Sequence, residues 1–565
     1  MRFVIAAALY LTGLILALVG VAQQTIWLPP LQHHMSIQAS GNAPLLILDH
    51  KALTQFPGDP EVRIDGDSQI FMATGREEDV KAWVGATTNQ LVSAAPNGKK
   101  LTASLTTGIG LTVNPAGSDL WRTELAAQTS LTQTVDVSEH AAVLLANDGL
   151  QAAPTNVHLV WNIQNDTFWS RVYFFGGLGF ILAGIIANAW AWYHMRKHRG
   201  PRRRTPRAPQ GPKYRYRSNR SAPSRGRRAA RNSKIATVGF ISLAVLAGCA
   251  PTSSPSATPS ATSSVASDTA PPVVTAPQLA KIVSRISVAL SEGDTAKDSK
   301  LLANRVSGPA LDSRAAHYAL QRLNSKIAPL PGIDARNITF LLPAASVSWP
   351  RVVMTVVSAS GTDSLPQMLV LEQAAPRAQY NLWYQIDMLP GVKTPEVAAA
   401  ASGAIPVAAD SKFLKVSPNA LPSAFGNLID LGQASLSASS FDVSNDEFYK
   451  QVASSQSAQR ASLKDASIAV EHSLGNSNVL ALATSNTGAL VAVYMKDTYT
   501  IKPTKKNSAV AVSGNEKLLL GATGSAKGIR SVYGDMLLFY VPAISSSDRI
   551  MTLGASQGLL GIRSL

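Results

Sequence analysis

One short stretch has the spacing of a catalytic serine. Residues Gly554 to Gly558 read GASQG, the pattern of a nucleophile elbow that presents a serine on a strained strand-to-helix turn. Such a serine needs an acid and a histidine further along the chain, but only seven residues follow Gly558 and the last histidine is His472. We therefore interpret the stretch as a turn near the final strand and predict no catalytic residue in it.

Carboxylates and histidines are the other side chains that could build a reactive site. Asp65 and Asp67 flank Gly66 in a pattern that can hold a metal, but Asp-Gly is also a common tight-turn signal, and we predict a turn. The glycine and lysine spacing of residues 521–527 departs from that of a phosphate-binding loop. The histidines show no metal-ligand spacing; they include His33, His34, His50, His140, His158, His317 and His472. The sequence predicts neither a metal nor a cofactor.

The only cysteine, Cys249, lies at the end of a short apolar run. Residues 235–248 are too few for a typical membrane span and suit the apolar region of a signal peptide. The ending Leu246, Ala247, Gly248, Cys249 resembles the lipobox of bacterial lipoproteins. That resemblance implies cleavage before Cys249 and attachment of a diacylglycerol to its thiol. The alternative is a third transmembrane helix over residues 235–249, and both interpretations export the C-terminal half.

A basic segment precedes this run and carries the whole net charge. Residues 196–234 contain 16 Lys and Arg and no acid, which equals the formal charge of +16, so the rest of the chain is balanced. We predict a cytoplasmic loop over residues 195–234 that contacts anionic lipid, through Arg196, Lys197, Arg199, Arg202, Arg203 and Arg204. The alternating arginines and tyrosines of residues 213–217 are also typical of nucleic-acid binding, which we consider the weaker interpretation.

Two long apolar segments determine on which side of a membrane the other regions lie. Residues 1–22 and 171–194 each predict a transmembrane helix, although the first also fits a cleaved signal peptide. The pairs Gly13 with Ala17 and Gly179 with Ala183 would allow close helix packing. The basic segment after the second helix predicts that its C-terminal end faces the cytoplasm.

The segment between these helices, residues 23–170, predicts a mainly β extracytoplasmic domain. Short apolar runs bounded by turn residues indicate strands; they cover residues 44–49, 68–74, 141–148 and 156–163. One helix over residues 76–84 interrupts them and ends at Gly85, with Val80 and Trp83 on one packing face.

The region after a Ser/Thr/Pro tether at residues 250–277 predicts two α+β lobes, 278–395 and 396–565. The first helix presents Leu279, Ile282, Val283, Ile286 and Leu290 and should end at Gly293. Strands are expected at 338–342, 351–358, 367–373 and 380–389. Helices at 419–430 and 444–461, the latter capped from Ser444, then lead to strands at 467–473, 478–484, 489–501, 516–523 and 535–542.

The order of helices followed by strands resembles the NTF2-like fold, in which helices pack on a curved antiparallel sheet. The stretch RSVYGDMLLFYVP, residues 530–542, resembles the ending of uncharacterised actinobacterial membrane-anchored lipoproteins. The resemblance implies an α+β protein with membrane helices and transfers no functional residue.

We therefore expect a membrane-anchored binding or scaffold protein of the bacterial cell envelope. Its partners would be membrane lipids and an envelope protein or glycan, and nucleic acid is not expected. The alternative is an envelope enzyme with a site in the C-terminal lobes, assembled from His317 with Tyr318 or from Asp387 with Trp383.

Overall fold

A computed structural model describes residues 2–28, 30–40, 42–66, 68–163, 168–197, 270–359, 365–475 and 478–565. The lipobox with Cys249, residues 250–269 of the predicted tether, and the basic residues Arg199, Arg202, Arg203 and Arg204 lie outside these ranges. The predicted end of the tether at residue 277 is wrong, because Pro272 pairs with Ala345, Val273 is buried and a helix begins at Ala276. The chain forms two units: one holds the two long apolar helices, and the other comprises residues 31–163 together with residues 269–565. The predicted α+β class is confirmed.

The helices and strands are numbered in chain order. The helices are α1 Arg2–Gln24, α2 His50–Leu53, α3 Glu77–Val84, α4 Phe168–Lys197, α5 Ala276–Ala296, α6 Gly308–Leu323, α7 Leu421–Leu431, α8 Glu447–Ser462 and α9 Gly514–Leu520. The strands before the tether are β1 Gln32–Gln38, β2 Leu45–Leu48, β3 Glu61–Asp65, β4 Ile70–Arg76, β5 Asn89–Ala94, β6 Leu101–Thr106, β7 Thr123–Ala127, β8 Ser130–Thr134, β9 Ala141–Ala146 and β10 Asn156–Asn162. Those after it are β11 Ile333–Pro343, β12 Arg351–Ala359, β13 Gln367–Gln373, β14 Asn381–Asp387, β15 Ala466–Leu474, β16 Leu480–Ala483, β17 Ala489–Pro503, β18 Val510–Ala511, β19 Gly524–Ser525, β20 Ile529–Val541 and β21 Met551–Ser564.

Helices α1 and α4 are both long and apolar enough to cross a membrane. They pack antiparallel along small side chains, while most of their large apolar side chains are exposed. The buried residues recur every seven positions; they are Ala6, Gly13 and Gly20 on α1 and Ser170, Gly177, Gly184 and Ala191 on α4. A seven-residue repeat keeps one stripe of each helix against its partner over several turns.

Glycine is required where the two backbones meet. A Cβ atom at Gly13 would lie 2.7 Å from the carbonyl oxygen of Gly177, and one at Gly177 would lie 2.5 Å from the Ala17 nitrogen. The predicted contact through Gly13 and Ala17 is therefore confirmed. The prediction for Gly179 is wrong, because a Cβ atom there would meet nothing within 4 Å. The error came from a four-residue spacing, whereas the contact follows a seven-residue one.

Residues 31–163 form a β-rich domain of two sheets. One sheet has the strand order β1-β10-β3-β8 and the other β6-β5-β2-β9-β4-β7. Apolar side chains from both sheets, including Ile64, Leu145 and Trp161, form the core between them. The second face of the larger sheet packs under α3, whose Val80 and Trp83 are buried and which ends at Gly85, as predicted.

The first C-terminal lobe packs α5 and α6 on the meander β11-β12-β13-β14. The second packs α7 and α8 on a sheet with the order β15-β17-β20-β21, in which β16 extends the edge beside β17. In both lobes an Asp near the end of the first helix pairs with an Arg of the second helix; the pairs are Asp294 with Arg314 and Asp430 with Arg460. The order of two helices and then a sheet therefore recurs. The two lobes share a core in which Tyr384 and Tyr494 both lie.

Several local predictions in the C-terminal region are wrong. Residues 516–523 were expected to be a strand, but Gly514–Leu520 is a helix, in which Leu and Lys have high helix propensity. Helix α5 continues past Gly293 and ends at a left-handed Lys297; Gly293 instead makes room for Leu302 and Tyr318. The cap of α8 is Asp446 rather than Ser444, because Asp446 accepts from the Tyr449 backbone.

Candidate functional site

The junction between the β-rich domain and the C-terminal lobes contains a fully buried carboxylate. Asp119 accepts hydrogen bonds from Arg285 at 2.9 Å, from Arg305 at 2.6 Å and from the backbone N–H of Tyr380 at 2.8 Å. Its side chain is 0% exposed. Arg285 also donates to Glu124 at 3.0 Å. Three donors from three different C-terminal segments therefore converge on one acid of the β-rich domain.

A second buried carboxylate, Asp79 at the start of α3, lies at the same junction. It accepts from Arg76 of its own domain at 2.8 Å and from Arg351 of β12 at 2.6 Å. The Arg351 side chain is 1% exposed, and its guanidinium lies 3.8 Å from the centroid of Trp349. Burial of both charges is tolerable because each is paired and the cation also stacks on an aromatic ring.

Arg377 inserts into the β-rich domain beside α3. It donates to the carbonyl oxygens of Trp83, Val84 and Leu111 and to the Thr87 hydroxyl, over distances of 2.6–2.9 Å. Its guanidinium also lies 4.9 Å from the Trp83 ring centroid. Burial lowers the pKa of Arg377, and the positive charge of its guanidinium strengthens the hydrogen bonds to the carbonyl oxygens at the end of α3.

The second lobe contains a buried cluster of ionisable groups between its sheet and α7. His472 of β15 lies directly opposite Asp497 of β17, with 2.7 Å between His Nδ1 and Asp Oδ1. Asp535 of β20 lies diagonally across from Asp497, opposite Met495. The backbone of α7 approaches closely here because residue 426 is glycine: a Cβ atom there would lie 2.3 Å from His472 Cβ.

Several polar atoms of this cluster have no hydrogen-bond partner among the described residues; they are His472 Nε2, Ser531 Oγ and Gln456 Oε1. The carboxyl group of Asp535 lies in hydrogen-bonding contact with that of Asp497, which requires a shared proton, and with Gln557. His472 Nε2 lies 3.7 Å from Asp430 Oδ2, which is too long for a hydrogen bond. Unpartnered buried polar atoms are rare in folded proteins, so this cluster is a candidate site rather than ordinary core.

The cluster favours bound protons. Burial lowers the pKa of His472, but the hydrogen bond and charge of Asp497 and the charge of Asp430 exceed that effect, so its pKa is raised. Burial, together with the neighbouring charge of Asp497, raises the pKa of Asp535 well above its usual range. Two groups with raised pKa values, His472 and Asp535, therefore lie on either side of Asp497, an arrangement able to take up and release protons.

The residues proposed from sequence as enzyme sites do not converge. His317 is bonded through its ring to the Ala328 carbonyl, whereas Tyr318 donates to Asp294 in the lobe interior. Asp387 accepts from Gln367, and Trp383 lies four residues earlier on the same strand, roughly 13 Å away along an extended backbone. Neither pair forms a joint site.

The other reactive patterns from the sequence have structural explanations. Residues 554–558 lie inside β21, not in a turn, and the Ser556 hydroxyl accepts from the Asp387 N–H. The rings of His50 and His140 are 4.8 Å apart, but no group of three His, Cys, Asp or Glu side chains in the described residues could hold a metal. Of the predicted lipid-contacting residues, Arg196 lies over the Trp192 ring and Lys197 over that of Tyr193.

Two clefts of the C-terminal lobes are open and are lined by both polar and apolar groups. The larger holds about 650 Å³ and is lined by residues of both charges, including Lys393, Asp442, Glu447 and Lys450. A shallower one of about 450 Å³ lies on the sheet face opposite the His472 cluster, beside Arg530 and Arg563. Neither cleft includes a residue of the acid–histidine cluster.

The fold defines a mixed α+β protein with two candidate membrane helices. Residues 270–560 match the family described as "Domain of unknown function (DUF8094)", and the chain belongs to this family. The match begins just before α5 and covers both C-terminal lobes. A search of curated proteins and a search of solved structures each found no match to the chain.

Proposed function

We propose that the protein is a membrane-anchored binding or scaffold protein of the bacterial cell envelope. Both folded regions would lie outside the membrane, with residues 195–234 in the cytoplasm. The observation that carries the proposal is the α1–α4 pair, which buries only small side chains and exposes large apolar ones. A surface of this kind is stable in lipid and would be an aggregation hazard in water.

The connectivity of the chain supports this arrangement. Gln24 at the end of α1 contacts Ser170 near the start of α4, at 3.3 Å, so residues 31–163 would emerge on one side of a bilayer. Arg196 and Lys197 close the other end of α4, and the basic segment follows them. The positive-inside rule then favours a cytoplasmic loop that contacts anionic lipid.

Cys249 would supply the second anchor. Cleavage before this residue and lipidation of its thiol would leave a two-helix fragment and a separate lipoprotein made of the tether and the C-terminal lobes. A diacylated cysteine adds two acyl chains, and each buried CH₂ contributes roughly 0.8 kcal/mol to membrane binding. An uncut third helix over residues 235–249 would place the lobes on the same side.

The architecture of the C-terminal lobes supports a binding or scaffold role. We infer an NTF2-like arrangement for each, in which two helices cover one face of a curved antiparallel sheet. The space inside the first lobe is filled by a hydrogen-bonded network of Arg314, Asp294, Gln385 and Gln367. The remaining open clefts carry mixed charge, as a surface for an envelope protein or glycan would.

Intact-mass analysis of protein extracted from bacterial membranes tests the proposal. We expect either the mass of the full chain or two fragments split before Cys249, the second carrying a diacylglycerol. A Cys249→Ala chain should lose any added lipid mass and remain uncut, while Ser254→Ala in the tether should change nothing. A protein recovered in the soluble fraction, without membranes, would contradict the anchoring.

The acid–histidine cluster favours a second candidate function, an envelope enzyme that uses His472 and Asp535 for proton transfer. Both groups are buried, lie on either side of Asp497 and have raised pKa values, as acid–base residues often have. Under this alternative, His472→Gln and Asp535→Asn should abolish turnover of an envelope substrate while the chain remains folded. The matched control is His317→Gln, which removes a half-buried histidine of the first lobe.

A further inference from the structure

At the junction between residues 31–163 and residues 270–565, the hydrogen-bond donors lie almost entirely on one side. With one exception, every described hydrogen bond across it runs from a donor in the C-terminal region to an acceptor in the β-rich domain. The donors include four arginines; they are Arg285, Arg305, Arg351 and Arg377. The exception is Arg76, which donates to the Pro272 carbonyl.

Complementary charge of this kind is typical of interfaces between separate proteins, where it selects the partner and sets the orientation. The acceptor surface consists of Asp79, Asp119 and Glu124 together with the carbonyl oxygens at the end of α3. The opposing surface supplies arginines that donate to both types of acceptor. The two faces therefore complement each other without using the covalent connection.

Each side of the junction also has its own hydrophobic core. The core of the β-rich domain contains only residues between 35 and 161, and the cores of the lobes contain only residues from 273 onward. One smaller cluster, around Trp83 and Trp121, includes a side chain from the other side, Trp349. A region with a closed core of its own can keep its fold after the connection is cut.

We propose that the β-rich domain and the DUF8094 region are two halves of a protein–protein complex encoded in one chain. Cleavage between them yields a non-covalent heterodimer in which Asp79 and Asp119 hold the C-terminal half through its arginines. The cleavage before Cys249 belongs to the proposed function, whereas the association depends only on the described junction. The partner that fits the acidic face of the β-rich domain is thus the DUF8094 region itself, supplied in cis or in trans.

An engineered cut tests the association independently of lipidation and sidedness. A specific protease site is inserted into the tether of the full chain, with an affinity tag at the C-terminus. The detergent-solubilised protein is cut, bound through its tag and washed. We expect the N-terminal fragment to remain bound, and the two fragments to elute together in size-exclusion chromatography.

Variants at the junction identify the contacts that hold the halves. Arg305→Ala should weaken retention by roughly 30-fold or more, since it leaves Asp119 without one of its buried charge partners. Arg336→Ala is the matched control, because this arginine is 90% exposed and pairs only within its own lobe, with Asp334. Limited proteolysis of the uncut variants shows whether each half keeps its native digestion pattern.

Two results would overturn the inference. One is separation or aggregation of the cut wild-type halves. The other is equal retention of the Arg305→Ala and Arg336→Ala proteins, which would show that the charge network does not hold the junction. If the halves stay together but the protein from membranes is uncut at Cys249, the association stands and only the proposed processing fails.

Discussion

Replacing Asp119 by alanine should destabilise the two-domain body more than any exposed substitution. The carboxylate is fully buried and serves Arg285, Arg305 and the Tyr380 N–H at distances of 2.6–2.9 Å. Its removal leaves the Arg305 guanidinium without a counter-charge, leaves Arg285 with Glu124 alone, and leaves one buried N–H without a partner. The loss therefore combines an uncompensated buried charge with an unsatisfied donor.

The expected magnitude follows from these two costs. Breaking a buried ion pair by removing one partner costs about 3–5 kcal/mol of unfolding free energy. We count the unsatisfied N–H within this cost and do not add it separately. Since the urea m-value is about 1–3 kcal/mol/M for small proteins and rises with the surface exposed on unfolding, the unfolding midpoint should fall by roughly 0.5–1 M. Asp119→Asn should have an intermediate effect, because its amide oxygen still accepts a hydrogen bond.

Urea titration of the full chain in detergent, followed by tryptophan fluorescence, measures this effect. Trp83 and Trp121 are suitable reporters because they are buried beside the junction, with ring centroids 5.5 Å apart. Arg336→Ala is again the control and should leave the midpoint unchanged. If Asp119→Ala and Arg336→Ala unfold at the same midpoint, the network does not stabilise the junction and the reasoning is refuted.

The remaining predictions concern the helix pair and the acid–histidine cluster. Gly177→Leu should separate α1 from α4 and lower the thermal stability of the membrane unit in detergent, whereas Gly179→Leu, which points into open space, should not. Since the pKa of His472 is raised, its stabilising contribution is complete below about pH 6.5 and is lost as the pH rises through the folded-state value. The raised pKa of Asp535 also lowers the free energy of unfolding as the pH rises above 3.8, the ordinary pKa of an Asp side chain. Stability should therefore fall with increasing pH in the wild type and fall less in Asp535→Asn. Urea midpoints from pH 5 to 9 check both statements, and a pH-independent difference between the two proteins would contradict them.

Local sequence patterns predicted most elements because those elements depend on local apolar spacing. The helix at Glu77–Val84 and strands such as Ala141–Ala146 follow directly from apolar runs that end at turn residues. Residues 554–558 were misread for the same reason: glycines in a long strand look like a turn unless the pairing of β20 with β21 is known. The small-residue repeat of α1 and α4 was visible in the sequence, but only to a search at seven-residue spacing.

The candidate sites could not be predicted because they depend on pairing between distant segments. His472, Asp497 and Asp535 come together only through the register of three strands. A partial signal was present, since Asp497 and Asp535 interrupt strands that are otherwise largely apolar. The junction had an even weaker signal: Asp119 and Arg305 are separated by 186 positions, and nothing local to either residue indicates its partner.

The proposed topology places both folded regions outside a membrane that α1 and α4 cross. Cysteines introduced one at a time at Leu150 and Leu436, which are 69% and 101% exposed, report on the two regions, and one at Ser218 reports on the basic segment. Intact cells are treated with a membrane-impermeant maleimide, and the parental chain, whose only cysteine is Cys249, provides the blank. We expect labelling above this blank at 150 and 436 in intact cells and at 218 only after lysis. Labelling of 150 or 436 only after lysis would contradict it.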